Sequence, residues 1–248
     1  MPQSSVDLGG RVALVTGGSR GIGRAIAEAL ADAGADVAVI CHQRVERGEA
    51  VAEKIRAAGR RAIVVAADVS VRQSVLDMVD RVGRELGSPD ILVNNAGIAT
   101  VRELDDLDEA EFDRSISVNL RSAFLCTQAV LPAMRARGWG RIVNISSVAA
   151  RTAGVVGVHY NAAKAGLEGL SRGYAARLAS AGITVNAIAP GPIDTDMAEP
   201  LRHTEAFKRI PVGRLGVPRE VAQVVLMVLA NAFLTGQTIG VNGGVRLD

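Results

Sequence analysis

A glycine-rich turn set between an apolar run and a helix narrows the folds open to this chain more than any other stretch. The strand-length run Val12–Thr16 leads into Gly17-Gly18-Ser19-Arg20-Gly21-Ile22-Gly23, and a helical pattern starts immediately behind it. Glycine is required where backbone must turn sharply and approach a pyrophosphate, and the helix behind such a turn offers unpaired N–H groups and the positive end of its dipole. The spacing is G-x-x-x-G-x-G at Gly17, Gly21 and Gly23 rather than G-x-G-x-x-G. By itself the turn would also suit a plain tight connection.

The rest of the chain repeats the unit. Buried-strand runs are read at Val12–Thr16, Asp36–Ile40, Ala62–Ala66, Ile91–Val93, Arg141–Ile145, Thr184–Ile188 and Thr238–Val241. They are rich in Val and Ile and do not alternate with polar residues, as a parallel sheet covered on both faces requires. Helical stretches fall between them at Gly21–Ala33, Val45–Ala58, Val71–Leu86, Asp108–Arg137, Val158–Ala181 and Arg219–Leu229, with Gly34, Gly59, Gly87, Gly138 and Gly182 placed to end five of them. With no internal repeat and no Pro/Ser-rich linker, the pattern predicts one α/β domain over 1–248. Its fold would be a Rossmann-type, doubly wound parallel sheet of about seven strands with helices on both faces. Leu104–Glu111 and Ile193–Pro218 fall outside this rhythm. The second is long, polar and proline-bearing, as a substrate lid at about 193–218 would be.

Size and charge remove several classes of function. A chain of 248 residues buries about three-quarters of its unfolded surface, so its core needs no disulfide or metal. The 28 basic residues are scattered among 26 acidic ones for a net charge of +2, with lysine only at 54, 164 and 208, which argues against nucleic acid as a partner. Cys41 and Cys126 are far apart and outside any Cys/His cluster, so no metal site is expected and a reducing, cytoplasmic location is. Met1–Gly10 lacks the pattern of a secretory signal, and no apolar run has the length of a membrane span.

Several positions carry chemistry. An NAD site usually has an acid at the end of its second strand to receive the ribose 2′-hydroxyl. Here Cys41 stands there, followed by His42, Gln43 and Arg44. No carboxylate would repel a 2′-phosphate, and Arg20 in the glycine loop carries charge within reach of one, so NADP(H) is expected over NAD(H). Tyr160 and Lys164 lie one helical turn apart on one face, where a cation lowers the pKa of a phenol. Ser146-Ser147 ends the strand before them, and Asn94-Asn95-Ala96-Gly97 ends another; ligands of such sheets collect at these carboxyl ends. Asn119 is a polar residue in an apolar helical stretch.

Taken together, Thr16–Gly23, Asp68-Val69, Asn94–Gly97, Asn119, Ser147, Tyr160-x-x-x-Lys164, Pro190-Gly191 with Thr195, and Asn242-Gly243-Gly244 closely resemble the short-chain dehydrogenases/reductases over nearly the whole chain. The resemblance implies a catalytic set of Asn119, Ser147, Tyr160 and Lys164. Tyr160 would protonate the forming alkoxide and Ser147 would position the carbonyl oxygen. Lys164 would bind the nicotinamide ribose and favour ionisation of Tyr160, while Asn119 would hold a water on the proton path. It also implies a cofactor cradle of Gly17, Ser19, Arg20, Gly21, Ile22 and Gly23, with His42. Asp68 and Val69 would sit at the adenine, Asn95, Ala96 and Gly97 against the adenosine ribose, and Pro190, Gly191, Ile193 and Thr195 at the nicotinamide.

Within that family the resemblance is greatest to 3-oxoacyl-(acyl-carrier-protein) reductases, through Gly182–Asn186 and Pro190–Met197. Two positions depart from their pattern. Ala181 stands where a basic residue often precedes the Gly182–Asn186 strand, and another basic position is shifted to Arg137, which leaves docking of an acyl carrier protein open. Three readings follow: a 3-oxoacyl-thioester reductase, an NADPH-dependent reductase of another small ketone, sugar or cyclic alcohol, and a nucleotide sensor without turnover. A sensor would have no need of Tyr160 beside Lys164. The apolar Met197, Ala198, Leu201, Phe207 and Ile210 in the lid suit an acyl chain or a small hydrophobic ketone. The resemblance and the long apolar helices also imply a homotetramer.

Overall fold

The computed structural model describes residues 6–201 and 210–247, without the side chains of 199–201. Seven parallel strands form one sheet in the order β3-β2-β1-β4-β5-β6-β7. They are β1 (Val12–Thr16), β2 (Asp36–Cys41), β3 (Ala62–Ala66), β4 (Ile91–Asn94), β5 (Gly140–Ile145), β6 (Ile183–Pro190) and β7 (Thr238–Val241). The strand order reverses beside β1, which pairs with β2 through Leu14 and Ala38 and with β4 through Leu14 and Leu92. A crevice opens at such a reversal, on the carboxyl side of the strands.

Alternation along β1 assigns the two faces. Ala13 and Val15 pack under α1 (Gly21–Asp32), α2 (Val45–Ala57) and the last helix, which carries Val221, Val225 and Val228. Val12 and Leu14 point the other way, toward Met78 and Val82 of α3 (Arg72–Glu85), Leu131 and Met134 of α5 (Ser122–Arg137) and Leu178 of α6 (Val158–Leu178). Each fully buried aliphatic side chain of these layers is worth roughly 1.5–3 kcal/mol of transfer free energy. The glycines expected to end helices, Gly34, Gly59, Gly87, Gly138 and Gly182, all have positive φ. At Gly182 the requirement is twofold, since a Cβ would also stand 2.2 Å from the Gly138 carbonyl oxygen.

One expected helix is corrected. Asp108–Arg137 is not uniform: α4 (Glu109–Ile116) passes through a π-helical turn, Ser117–Arg121, into α5. Asp108 caps α4 by accepting from the Glu111 amide at 2.8 Å. The residue absorbed by the π turn swings Asn119 toward the connection that follows β4, and such turns collect at functional sites. The last helix, α7 (Pro218–Ala230), and the strands lie within two residues of their expected bounds. Ile193–Pro218 contains a short turn, Asp196–Leu201, and a bridge from Ile193 to Gly216. Residues 202–209 of the expected lid, Phe207 among them, lie outside the described residues, as does the side chain of Leu201.

A buried polar chain ties the two sides of the crevice. Asn94 Nδ2 donates to Asn144 Oδ1 at 2.8 Å, Asn144 Nδ2 to Ser171 Oγ at 2.8 Å, and Ser171 Oγ to the Leu167 carbonyl at 2.8 Å. It links β4, β5 and α6 below the site. Asn144→Ala would leave buried donors and acceptors unpaired on both sides, at a cost of about 2–4 kcal/mol. Urea denaturation measures this, and a loss under about 1 kcal/mol would mean the chain adds nothing to the fold.

Candidate active site

Thr16 and Asn95 bring the glycine loop to the end of β4. The Thr16 hydroxyl accepts from the Asn95 and Ala96 amides at 2.9 and 3.0 Å, and Asn95 Nδ2 donates to the carbonyls of Thr16 and Gly17 at 2.9 and 3.1 Å. Gly23 packs so tightly into this junction that a Cβ would lie 2.2 Å from the Gly17 oxygen. Arg20 precedes α1 and no side chain caps that helix, so its first N–H groups are left to the crevice.

The crevice is a cavity of about 1060 Å³. All the expected site residues line it: Gly17, Ser19, Arg20, Gly21, Ile22, Gly23, His42, Asp68, Val69, Asn95, Ala96, Gly97, Asn119, Ser147, Tyr160, Lys164, Pro190, Gly191, Ile193 and Thr195. At the β2 end the buried Cys41 thiol is pushed up by loss of hydration and by Glu46. His42 is exposed, its Nε2 3.8 Å from Asp68. The Ser70 hydroxyl, donating at 2.6 Å, holds the Asp68 carboxyl below its ordinary range. Arg20 does not point freely into the cavity. Its guanidinium lies 3.3 Å from Asp196 Oδ2, and Arg47 reaches the same oxygen at 3.1 Å. Across the cavity a Cβ on Gly191 would stand 2.7 Å from Asn242 Cα, so only glycine lets the end of β6 pack against the segment that follows β7.

Ser147 lies two residues past β5 and caps the short turn Val148–Ala150, accepting from the Ala149 amide at 3.2 Å. Tyr160 stands on the first turn of α6, and its phenol shares a hydrogen bond with Ser147. One turn on, Lys164 is only 4% exposed, its Nζ donating to the Ile145 carbonyl at 2.9 Å and lying 5.6 Å from the centre of the Tyr160 ring. Asn119, 2% exposed, accepts from the Ile98 amide at 3.0 Å and donates to the Ile98 carbonyl and Ser115 hydroxyl at 3.1 and 3.2 Å. Gly97 fits between Asn119 and Lys164: a Cβ there would be 2.7 Å from Asn119 Oδ1 and 3.6 Å from Lys164 Nζ. Ser146 turns away, its hydroxyl directed to the Lys164 carbonyl and to Glu168, whose other oxygen receives Arg151 at 2.7 Å.

At Tyr160 burial is the largest influence and raises the phenol above its ordinary value, with the Ser147 hydrogen bond opposing. Burial likewise brings Lys164 down to about 8. Both groups therefore resist charge, which keeps the phenol protonated at neutral pH. Three contributors carry no role in the sequence reading: Thr16 and Asp196, which appear there only within motifs, and Arg47. Thr16 directly precedes the glycines, a visible signal. Arg47 and Asp196 are distant in the chain and nothing in the sequence pairs them.

The family described as short chain dehydrogenase matches residues 11–206. Nodulation protein G of Azospirillum brasilense is 42% identical over 241 residues, covering 95% of this chain and 98% of its own length. A 3-oxoacyl-(acyl-carrier-protein) reductase, FabG, of Pseudomonas aeruginosa is 41% identical over 248 residues, 98% of this chain and 100% of that protein. Among solved structures, a chain from Agrobacterium tumefaciens named as a candidate gluconate dehydrogenase superposes with a TM-score of 0.93 at 37% identity, covering 99% of this chain and 100% of that one.

The burial of Lys164 has a measurable consequence. Folded Lys164 releases its proton near pH 8, against 10.5 for an ordinary lysine, so between these values the unfolded chain binds more protons and stability rises with pH. The stability of the protein relative to Lys164→Met should therefore climb by up to about 3 kcal/mol across that window. Urea denaturation of both at pH 7 and pH 10 reads the difference, and an unchanged gap would show that Lys164 is not held as described.

Proposed function

The chain belongs to the short-chain dehydrogenase family, an oxidoreductase of the CH–OH/C=O class that works with a nicotinamide cofactor, and we propose that it reduces ketones with NADPH, a 3-oxoacyl thioester first among them. The convergence of Ser147, Tyr160, Lys164 and Asn119 on one cavity carries this reading. A carbonyl oxygen seated there would receive the Ser147 hydroxyl and the Tyr160 phenol. NADPH, when bound, supplies the hydride. Tyr160 delivers its proton to the oxygen as negative charge grows on it, the step a protonated phenol is suited to perform. One Lys164 donor is spent on Ile145, leaving two for ribose hydroxyls. Asn119 fixes the Gly97–Ile98 wall beside the ammonium.

The residues present fit the cofactor. Gly17 and Gly23 let the loop fold tightly onto Asn95, a Cβ on Gly21 would crowd Thr195 across the cavity, the uncapped start of α1 suits a pyrophosphate, and Cys41 brings no charge to the end of β2. Arg20 and Arg47 converge on one carboxylate oxygen, and a 2′-phosphate is a stronger anion for the same pair. Apart from Thr152, whose hydroxyl donates to the Val148 carbonyl at 3.1 Å, the wall from Val148 to Val156 lines the cavity with apolar groups, Val148, Ala149, Val155 and Val156. An acyl chain suits that wall, whereas a sugar acid would meet no cation on it. The thioester need not come on a carrier protein: Arg137 is held by Asp90 at 3.1 Å and by the Pro89 carbonyl at 2.7 Å. Another small ketone remains the alternative substrate.

Two assembly features complete the proposal. The whole chain acts as one catalytic domain with its lid at about 193–218, in the cytoplasm. It does so as a homotetramer, supported by the exposed apolar side chains of Phe112, Phe124 and Phe233. Among the described residues no helix is long and apolar enough to cross a membrane.

Tyr160→Phe keeps the ring and deletes the transferable proton. It should leave NADPH binding intact while ketone turnover falls by about 10²–10⁴-fold. Tyr174→Phe, which loses only a surface hydrogen bond from Gln128 at 2.8 Å, should stay active. Near-normal turnover by Tyr160→Phe, in steady-state assays on the same ketone, would contradict the mechanism.

A further inference from the structure

We propose that His159 and Asn161 are positioning residues, which lock the two substrate-facing loops onto either side of Tyr160. The three residues are consecutive on the first turn of α6, and the outer two reach different loops. His159 is 1% exposed, and its Nε2 lies 3.0 Å from the Thr100 carbonyl. A carbonyl only accepts, so Nε2 is the donor in this contact, while Nδ1 is buried and has no partner among the described residues. The ring fills the space that a side chain on Gly157 would take: a Cβ there would be 2.7 Å from His159 Cε1 and 2.9 Å from the Arg102 carbonyl. The Arg102 amide in turn donates to the Val156 carbonyl at 2.9 Å. The loop so held includes Ile98 and Ala99, part of the cavity wall.

Asn161 grips the opposite loop. Its Nδ2 faces the carbonyls of Ala149, Thr152 and Ala153 at 2.9, 2.6 and 2.8 Å. All three residues line the cavity, and Ala149 is also the donor to Ser147. Among the described residues Asn161 Oδ1 is buried and unpaired, as His159 Nδ1 is. Burying an unpaired acceptor is costly, and a leucine at either position would avoid that cost. What a leucine could not do is donate to the loop carbonyls. The arrangement makes sense where the walls must hold the ketone in register with the phenol, because a displaced wall loosens the ketone's seat beside it.

This proposal rests on the reading of Tyr160 as proton donor. Its test uses the full-length protein with NADPH and acetoacetyl-coenzyme A, or the ketone the parent reduces best. His159→Leu and Asn161→Ala should each raise KM for the ketone by about 10–100-fold while the Kd for NADPH, read by fluorescence, stays within about twofold. His159→Gln places an amide N–H near the Nε2 position and should restore KM to within about threefold of the parent. Parent-like KM in both loss variants overturns the proposal. So does a decline in NADPH affinity and Tm that parallels KM and that His159→Gln does not reverse, since that marks a general loss of structure. An active Tyr160→Phe removes the donor reading and the clamp with it; an inactive Tyr160→Phe beside parent-like His159→Leu and Asn161→Ala removes the clamp alone.

Discussion

The hydroxyl of Thr16 accepts from the Asn95 and Ala96 amides while the Asn95 side chain donates back to the Thr16 and Gly17 carbonyls, and this closed exchange seats the glycine loop on the end of β4. Neighbouring parallel strands would bring the two connections close but would not fix the angle between them. With the exchange in place, the start of α1 faces the crevice, Gly97 lies against Asn119 and Lys164, and Ser147 after β5 and Pro190 at the end of β6 close the far side. The apolar layers above and below the sheet hold the strands. The polar exchange at the carboxyl edge turns their ends into a site.

Desolvation sets the chemistry of that site. Lys164 is pulled down by burial and Tyr160 is pushed up by it, so neither group is charged as readily as it would be in water. A protonated phenol is the form required of a donor to a ketone oxygen. The Tyr160–Lys164 spacing is visible in the sequence, and it suggests a cation that promotes tyrosinate. In three dimensions burial is the largest influence on both groups, with Lys164 donating to the Ile145 carbonyl and its Nζ 5.6 Å from the ring centre. Spacing shows that two groups meet; burial decides what the meeting does to them.

The same division runs through the rest of the molecule. All seven strands are legible because both faces of a parallel sheet are covered, so their residues read as continuous apolar runs. The glycine loop, Ser147, Tyr160 and Lys164 are legible because short motifs at strand and helix ends carry them. The π turn at Asn119 is not, since one extra residue in a helix leaves the apolar period on either side intact. Nor is the meeting of Arg20, Arg47 and Asp196, which lies between segments remote in sequence. His159 and Asn161 escape notice because their partners are backbone carbonyls, which every residue has and no sequence pattern marks.

The central claim is that the cavity passes a hydride from NADPH to a ketone and a proton from Tyr160 to its oxygen. The most direct measurement follows nicotinamide absorbance while the protein meets a panel of acetoacetyl-coenzyme A, small diketones and sugars, with NADPH and NADH in parallel, and identifies the product. The account predicts consumption of NADPH matched by a secondary alcohol, with the 3-oxoacyl thioester preferred and NADH the poorer donor. Equal use of the two cofactors would contradict the role given to Cys41, Arg20 and Arg47, and tight NADPH binding with no consumption on any ketone would contradict the claim itself.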